Sequence, residues 1–424
     1  MIKNTRIFTD SIAVSNDTRM TGLNNNDAVI GASGSNKTGG YVIHNIWNSD
    51  ENMIVVDTKG SIHSKVAEHL KNKGYKVMLL DAVNPERSTV GFNPFDYIRK
   101  HSDGEYNEND IESIAADMLP MTSSNKDVFW ILSARKVLEC AIGYVLEVFD
   151  ENDHNLCALF SVIYGILETT DKDRIPFLEN TPNESFMADT SYAYHKYLSF
   201  KKTMNAETTW GCITMFLTAF LHQLETRENE NIFKNKENIR FEDFDKEKIA
   251  LFLNVSDTDR AFDKMTGLIF SLAFRTLINK ADKNPDGALR IPIRFYLDDF
   301  ATSTVIGDFD KIISVIRSRN IAVSIILQSI VQLETIYERA KASTIITNCD
   351  HLLYLGGADY ETANYLSLRS GVLPEKIMNL PSDKEIFLER GRKGVIVDKL
   401  KPYGCLEKTR KPITKYTDKG VEIV

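Results

Sequence analysis

Residues 28–38 read Ala28-Val29-Ile30-Gly31-Ala32-Ser33-Gly34-Ser35-Asn36-Lys37-Thr38. An apolar run ends at a glycine, and helix-compatible sequence follows Thr38. A phosphate-binding loop reads Gly-x4-Gly-Lys-Ser/Thr, and this stretch keeps that pattern except that Asn36 stands at the second glycine. In such a loop, successive backbone N–H groups wrap phosphate oxygens, and the following helix start adds positive dipole. Lys37 would neutralise the β- and γ-phosphates, and Thr38 would place a hydroxyl on Mg²⁺. Gly31, Gly34, Ser35 and Asn36 would form the cradle. An ordinary glycine-rich turn is the competing reading of the same residues.

Further apolar runs follow at α/β spacing. Met53-Ile54-Val55-Val56 precedes Asp57, and Val77-Met78-Leu79-Leu80 precedes Asp81. Between them, Ile62, Val66 and Leu70 recur at helical spacing, and Gly74 can stop that helix. Strand, helix, strand in this order predicts a parallel α/β unit. Strand patterns return at residues 249–253, 294–297, 322–327 and 351–355. Residues 102–243 show long helical patterns and no convincing strand; residues 129–149 are the clearest case. The expected organisation is therefore an α/β domain, residues 1–101 and 244–424, interrupted by an inserted all-α domain, residues 102–243. The charged residues 225–247 predict a solvated surface segment.

Composition narrows the function classes. The chain has 424 residues, enough for two domains or one domain carrying an insertion. It is 43% hydrophobic and 26% charged, which excludes a disordered chain. The net charge of −8 argues against wholesale coating of DNA, although a local basic channel remains compatible with it. Five widely spaced cysteines without a CxxC argue against a disulfide framework or zinc site, and point to a reducing cytoplasm. Each cysteine reads as a small buried apolar residue. No signal peptide and no span of about 20 apolar residues is visible, so membrane attachment would need a partner.

Three more features bear on chemistry. Phe295-Tyr296-Leu297 ends in Asp298-Asp299. The first acid would hold the metal's water shell, and the second would orient or deprotonate an attacking water. A strand exit with solvent-facing acids is the alternative. The run 322–327 ends in Gln328-Ser329, where an amide can touch the γ-phosphate, or simply cap the strand in solvent. Arg317-Ser318-Arg319 could supply a transition-state arginine to a neighbouring subunit, or be two solvated arginines at a helix end.

Together these segments resemble the TraG/TraD-type coupling proteins of conjugation and type IV secretion. The likeness extends through residues 24–31, Asp57-Thr58-Lys59-Gly60, Gly91-Phe92-Asn93-Pro94-Phe95, Phe129-Trp130, Leu297-Asp298-Asp299-Phe300-Ala301, Arg317-Ser318-Arg319, Gln328-Ser329 and Tyr354-Leu355-Gly356-Gly357. It runs from about residue 6 to about residue 371. The resemblance implies a RecA-like P-loop NTPase domain with a mainly parallel sheet. It also implies an all-α domain that meets cargo, and a hexameric ring around a channel. ATP and Mg²⁺ are the implied cofactors. DNA or relaxase–DNA cargo and a secretion channel or membrane-anchor protein are the implied partners, at the cytoplasmic face of the membrane. By motif position, Lys37 and Thr38 are phosphate and Mg²⁺ contacts, and Asp298 and Asp299 the acid pair. Gln328 is the γ-phosphate sensor and Arg317 the arginine acting in trans. Asn36 for glycine and Asp299 for the usual glutamate depart from the family pattern. So do the missing membrane-spanning N-terminus of many members and a short tail. These departures keep two rivals open: a weakly hydrolysing adaptor that binds cargo or channel, and an FtsK/HerA-like translocase.

Overall fold

The computed structural model describes residues 4–58, 60–120, 128–167, 191–226, 230, 232–233, 237–256, 262–300, 305–406, 414–417 and 420–423. Lys59 and Ala301 of the motifs above lie outside the described residues. The chain begins with a short antiparallel hairpin, β1 (Thr5–Ile7) and β2 (Ala13–Ser15). Seven strands then build a parallel sheet: β3 (Asp27–Ile30), β4 (Asn52–Asp57), β5 (Lys76–Asp81), β6 (Ile249–Asn254), β7 (Ile293–Leu297), β8 (Ile321–Leu327) and β9 (His351–Tyr354). Two strands that sequence reading missed, β10 (Lys384–Glu389) and β11 (Val395–Asp398), extend one edge in antiparallel fashion. The order across the sheet is β11-β10-β9-β3-β8-β7-β4-β6-β5.

The parallel strands were legible because they are buried throughout. Every residue of β3, β4, β6, β7, β8 and β9 is buried, which gives near-continuous apolar runs instead of alternation. Against them pack α1 (Ile43–Asn48), which continues the helix after the glycine-rich loop, and α2 (Ser61–Asn72). Ile62, Val66 and Leu70 of α2 join Val29, Val55, Phe252 and Ile326 in one core. Asp57 starts α2: its carboxylate accepts hydrogen bonds from Ser61 N, Ile62 N and His63 N at 3.0, 2.8 and 2.8 Å. That satisfies three of the helix's unpaired donors.

The chain divides into two compact units: residues 1–83, 241–260 and 274–424, and residues 84–240 and 261–273. These bounds differ from the 102–243 read in the sequence. The second unit holds α3 (Glu108–Met118), α4 (Val128–Val148), α5 (Leu156–Leu167), α6 (Tyr192–Met204) and α7 (Glu207–Leu224). Phe129 and Trp130 open α4 edge to face, with centroids 5.1 Å apart. Residues 225–247 are not a wholly solvated segment. Ile232, Phe233, Ile239, Phe241 and Phe244 are buried, so dispersed apolar anchors hold it despite its charge. Cys140, Cys349 and Cys405 are buried, whereas Cys157 and Cys212 are only half-buried.

Beneath the core of the sheet-bearing unit lies a charge cluster that no motif announced. Asp27, at the start of β3, is fully buried. Its carboxylate accepts from Arg6 Nε at 3.1 Å, Arg294 Nη1 at 3.0 Å and the Tyr41 hydroxyl at 2.6 Å. Arg294 Nε reaches Glu51 at 3.1 Å, and Arg6 Nη2 reaches His351 Nδ1 at 3.1 Å. Burial, together with Arg6 and Arg294, holds the His351 imidazole well below its usual range, so it stays neutral and accepts. Two guanidiniums thus balance two carboxylates. Removing one member strands the others without their counter-charge. Arg294→Met is expected to lower the unfolding free energy by about 3–5 kcal/mol in urea denaturation. Lys384→Ala, which breaks the exposed pair with Asp398, should leave the same curve unmoved.

Candidate nucleotide-binding site

The loop of residues 31–38 leaves the C-terminal end of β3 and is tied to both neighbouring strands. Gly31 N donates to Leu327 O at 3.1 Å, and Ala32 N donates to Gly356 O at 2.9 Å. A Cβ on Gly31 would lie 2.4 Å from Ser35 Oγ and 3.0 Å from Leu355 Cβ, so the turn closes there only on glycine. Gly34 and Asn36 hold left-handed backbone, with φ of 78° and 70°. Asn36 therefore occupies a conformation that glycine adopts freely and asparagine adopts more readily than most residues. Lys37 is buried, and its ammonium donates back into the loop, to Gly31 O at 2.6 Å and Ala32 O at 3.1 Å. Burial lowers its pKa, and Asp299 and Asp298 work against that shift. Thr38 opens a π-helical turn, Thr38–Val42, that runs into α1.

Asp298 and Asp299 follow β7, one strand beyond β8. The Thr38 hydroxyl donates to Asp298 Oδ2 at 2.7 Å, across 260 residues of sequence. Asp298 is buried, and desolvation pushes its carboxyl up to about 6, against the opposing Thr38 hydrogen bond. Asp299 turns the chain with a φ of 47°, and its N–H donates to Asp298 Oδ1 at 3.2 Å. A hydroxyl beside a buried carboxylate is an oxygen pair of the kind Mg²⁺ takes. Gln328, exposed, follows β8, the strand between β3 and β7.

Arg317 lies apart from this group. It sits before β8, at the opposite end of the strand from Gln328. Six strand steps of about 3.3 Å put the two ends of β8 roughly 20 Å apart. Its guanidinium donates to Gly22 O at 3.0 Å and faces a cleft of about 710 Å³, lined also by Arg19, Asn284, Asp286 and Arg290.

Comparison with known proteins decides the family. The model of the family described as type IV secretory system conjugative DNA transfer matches residues 2–372. The chain belongs to this family. Among solved structures, it superposes on the bacterial conjugative coupling protein TrwBdeltaN70 in its unbound monoclinic form. The TM-score is 0.70 at 17% identity, over 96% of this chain and 91% of that one. Plasmid coupling protein TrwB in complex with ADP and Mg²⁺ gives 0.69 at 18% identity, over 95% and 90%. These likenesses establish a RecA-like P-loop fold. The conjugal transfer protein TraG of Rhizobium radiobacter is 32% identical over 120 residues, which is 28% of this chain and 18% of that protein. The matched segment thus spans under a fifth of that relative's length. Among the described residues, no helix is long and apolar enough to cross a membrane.

In this family member the loop has a further neighbour that sequence reading did not find. Residues 399–406, after β11, lie along the helix that follows the loop. Lys399 Nζ donates to Leu355 O at 2.6 Å, His44 Nε2 lies 2.9 Å from Lys401 O, and Tyr403 N donates to Gly39 O at 2.9 Å. Glu385 of β10 is buried near Lys399, accepts a backbone hydrogen bond from Leu400, and leaves Oε1 without a partner. Burial pushes its carboxyl up to about 8, against the pull of Lys399. The folded chain then holds a proton that the unfolded chain has lost, from about pH 4 to about pH 8, so stability falls as pH rises through that window. Glu385→Gln should be neutral at pH 5 and stabilise by about 1–3 kcal/mol at pH 9 in urea titrations. A loss of stability at pH 9 would show instead that Lys399 holds the group ionised.

Proposed function

We propose that the chain is an ATP-driven coupling motor of conjugative DNA transfer. One observation carries the reading. The Thr38 hydroxyl and the Asp298 carboxylate, from motifs 260 residues apart, meet at 2.7 Å beside the buried Lys37. Bound there, Mg²⁺ would neutralise developing phosphate charge. The loop backbone of Gly31, Gly34, Ser35 and Asn36 would cradle the phosphates, and Lys37 would reach the β- and γ-phosphates. Thr38 and Asp298 would hold the cation, Asp299 would orient the attacking water, and Gln328 would sense the γ-phosphate. The ADP and Mg²⁺ complex of TrwB supports ATP and Mg²⁺ as the cofactors. Residues 102–243, the inserted all-α domain of this reading, would meet DNA or relaxase–DNA cargo. A secretion channel or membrane-anchor protein would receive the cargo at the cytoplasmic face of the membrane.

A second reading, a weakly hydrolysing adaptor, draws on Asn36. A non-glycine residue at φ 70° costs on the order of 1 kcal/mol or more, and its Cβ adds bulk where phosphate must approach. Mg-ATP binding is expected to be weak in the native chain. It should tighten about tenfold in Asn36→Gly, about 1.4 kcal/mol, and vanish in Lys37→Ala, as isothermal titration reads directly. Tight native binding that Asn36→Gly leaves unchanged would remove the case for a degenerate site. Turnover of ATP with and without single-stranded DNA separates motor from adaptor.

The distance of Arg317 from its own phosphate loop supports a role in trans, in a hexamer that nucleotide, DNA or a membrane partner would favour. Arg317→Ala should lower DNA-stimulated turnover by about 10³-fold while leaving Mg-ATP affinity intact. Sedimentation with a non-hydrolysable ATP analogue should show the ring. A strict monomer under every condition would count against it.

A further inference from the structure

The strap of residues 399–406 places an aromatic ring against the residue that follows Thr38. Ring atoms Cε2 and Cζ of Tyr403 would lie 2.9 Å from a Cβ on Gly39. Only a glycine at position 39 lets the ring approach so closely. The backbone of Tyr403 is left-handed, with φ of 58°, a conformation that a bulky side chain adopts only under constraint. The hydrogen bond from Tyr403 N to Gly39 O supplies that constraint. Strain of this kind concentrates at functional sites. Tyr403 is nevertheless 39% exposed, and the ammonium of exposed Lys65 lies over its ring, 5.5 Å from the centroid.

The direction of a bound nucleotide gives this ring a use. In a phosphate loop the lysine reaches the β- and γ-phosphates, and the backbone N–H groups cradle the α- and β-phosphates. Asp298, Asp299 and Gln328 follow β7 and β8, and on the nucleotide-binding reading they take the γ-phosphate side of Thr38. The nucleoside must then leave from the other end of the phosphate chain, beside the first turn of the helix. Gly39 is in that turn, and Tyr403 covers it. An exposed tyrosine there offers an aromatic ring on which a base can stack by displacing the Lys65 ammonium, and base–aromatic stacking is tolerant of base identity.

We propose that Tyr403 is the base platform of the nucleotide site, stacking the base of Mg-ATP beside Gly39. The proposal rests on the nucleotide-binding reading above, and the test separates the two. Isothermal titration would compare Mg-ATP with Mg-tripolyphosphate, which has phosphates and no base. Wild type, Tyr403→Ala, Tyr403→Phe, Gly39→Ala and Lys37→Ala are titrated with both. Tyr403→Ala should weaken Mg-ATP about tenfold and leave Mg-tripolyphosphate unchanged. Tyr403→Phe should keep wild-type affinity for both, because stacking needs the ring and not the hydroxyl. Gly39→Ala, which pushes the ring away, should reproduce the base-specific loss. Equal weakening of both ligands in Tyr403→Ala makes the residue a mere prop for the helix and overturns the platform. So does a Tyr403→Ala protein that binds Mg-ATP as wild type does. Wild type that binds neither ligand, or binding that Lys37→Ala leaves intact, overturns the nucleotide site itself and the platform with it.

Discussion

The carboxylate of Asp27 has no exposure and cannot remain in the core as a charge without partners. It takes them from three parts of the chain: Arg6 in the N-terminal hairpin, Arg294 in β7, and Tyr41 in the helix after the phosphate loop. Ser324 of β8 and His351 of β9 close the same cluster, at 3.3 Å from Asp27 Oδ2 and 3.1 Å from Arg6. A one-step slip of β3 would move Asp27 away from both guanidiniums and leave buried charges uncompensated. The register Asp27 with Ser324 and His351 is therefore fixed electrostatically as well as by apolar packing.

That register sets the site at the other end of the strands. With β3, β8 and β7 side by side, Ile30 pairs with Leu327 and Leu297 pairs with Ile325, so β7 ends two residues short of its neighbours; Gly31, Gln328 and Asp298 come next in their chains at the same end of the sheet. Tyr41 fixes the first turns of the following helix from below, and Asn45 does the same by pairing with both the N–H and the C=O of Ile7. The phosphate loop thus lies between the Asp27 cluster of β3 and the Tyr41 and Asn45 anchors of the following helix. Within it, the Lys37 ammonium is compensated by the loop's own carbonyls, so the cradle carries an internal partner for its cation.

Two non-glycine residues in left-handed backbone flank the Thr38–Asp298 hydrogen bond in sequence, Asn36 two residues before Thr38 and Asp299 directly after Asp298. Both are side chains that tolerate this region better than most. The site therefore keeps the turn geometry of a phosphate loop and of an acidic strand exit with residues other than those the motif prefers. Tyr403 adds a third left-handed residue beside Gly39.

The sequence alone determined the parallel strands and the phosphate loop. Both are local: strands buried throughout must be continuous apolar runs, and wrapping a phosphate needs glycines, a lysine and a hydroxyl within eight consecutive residues. Asp298, Asp299 and Gln328 read in the sequence as polar residues ending apolar runs, and the structure places them directly after β7 and β8. Arg294 carried a signal that went unused, a charge inside the apolar strand Ile293–Leu297. The partners of Asp27, the antiparallel edge of β10 and β11, the buried anchors of residues 225–247 and the Tyr403 strap were decided by tertiary structure. Arg6 and His351 lie 345 residues apart, and Gly39 and Tyr403 are farther apart still. No periodicity or spacing encodes such pairs, because the desolvation that makes each partner obligatory exists only once the chain has closed around them.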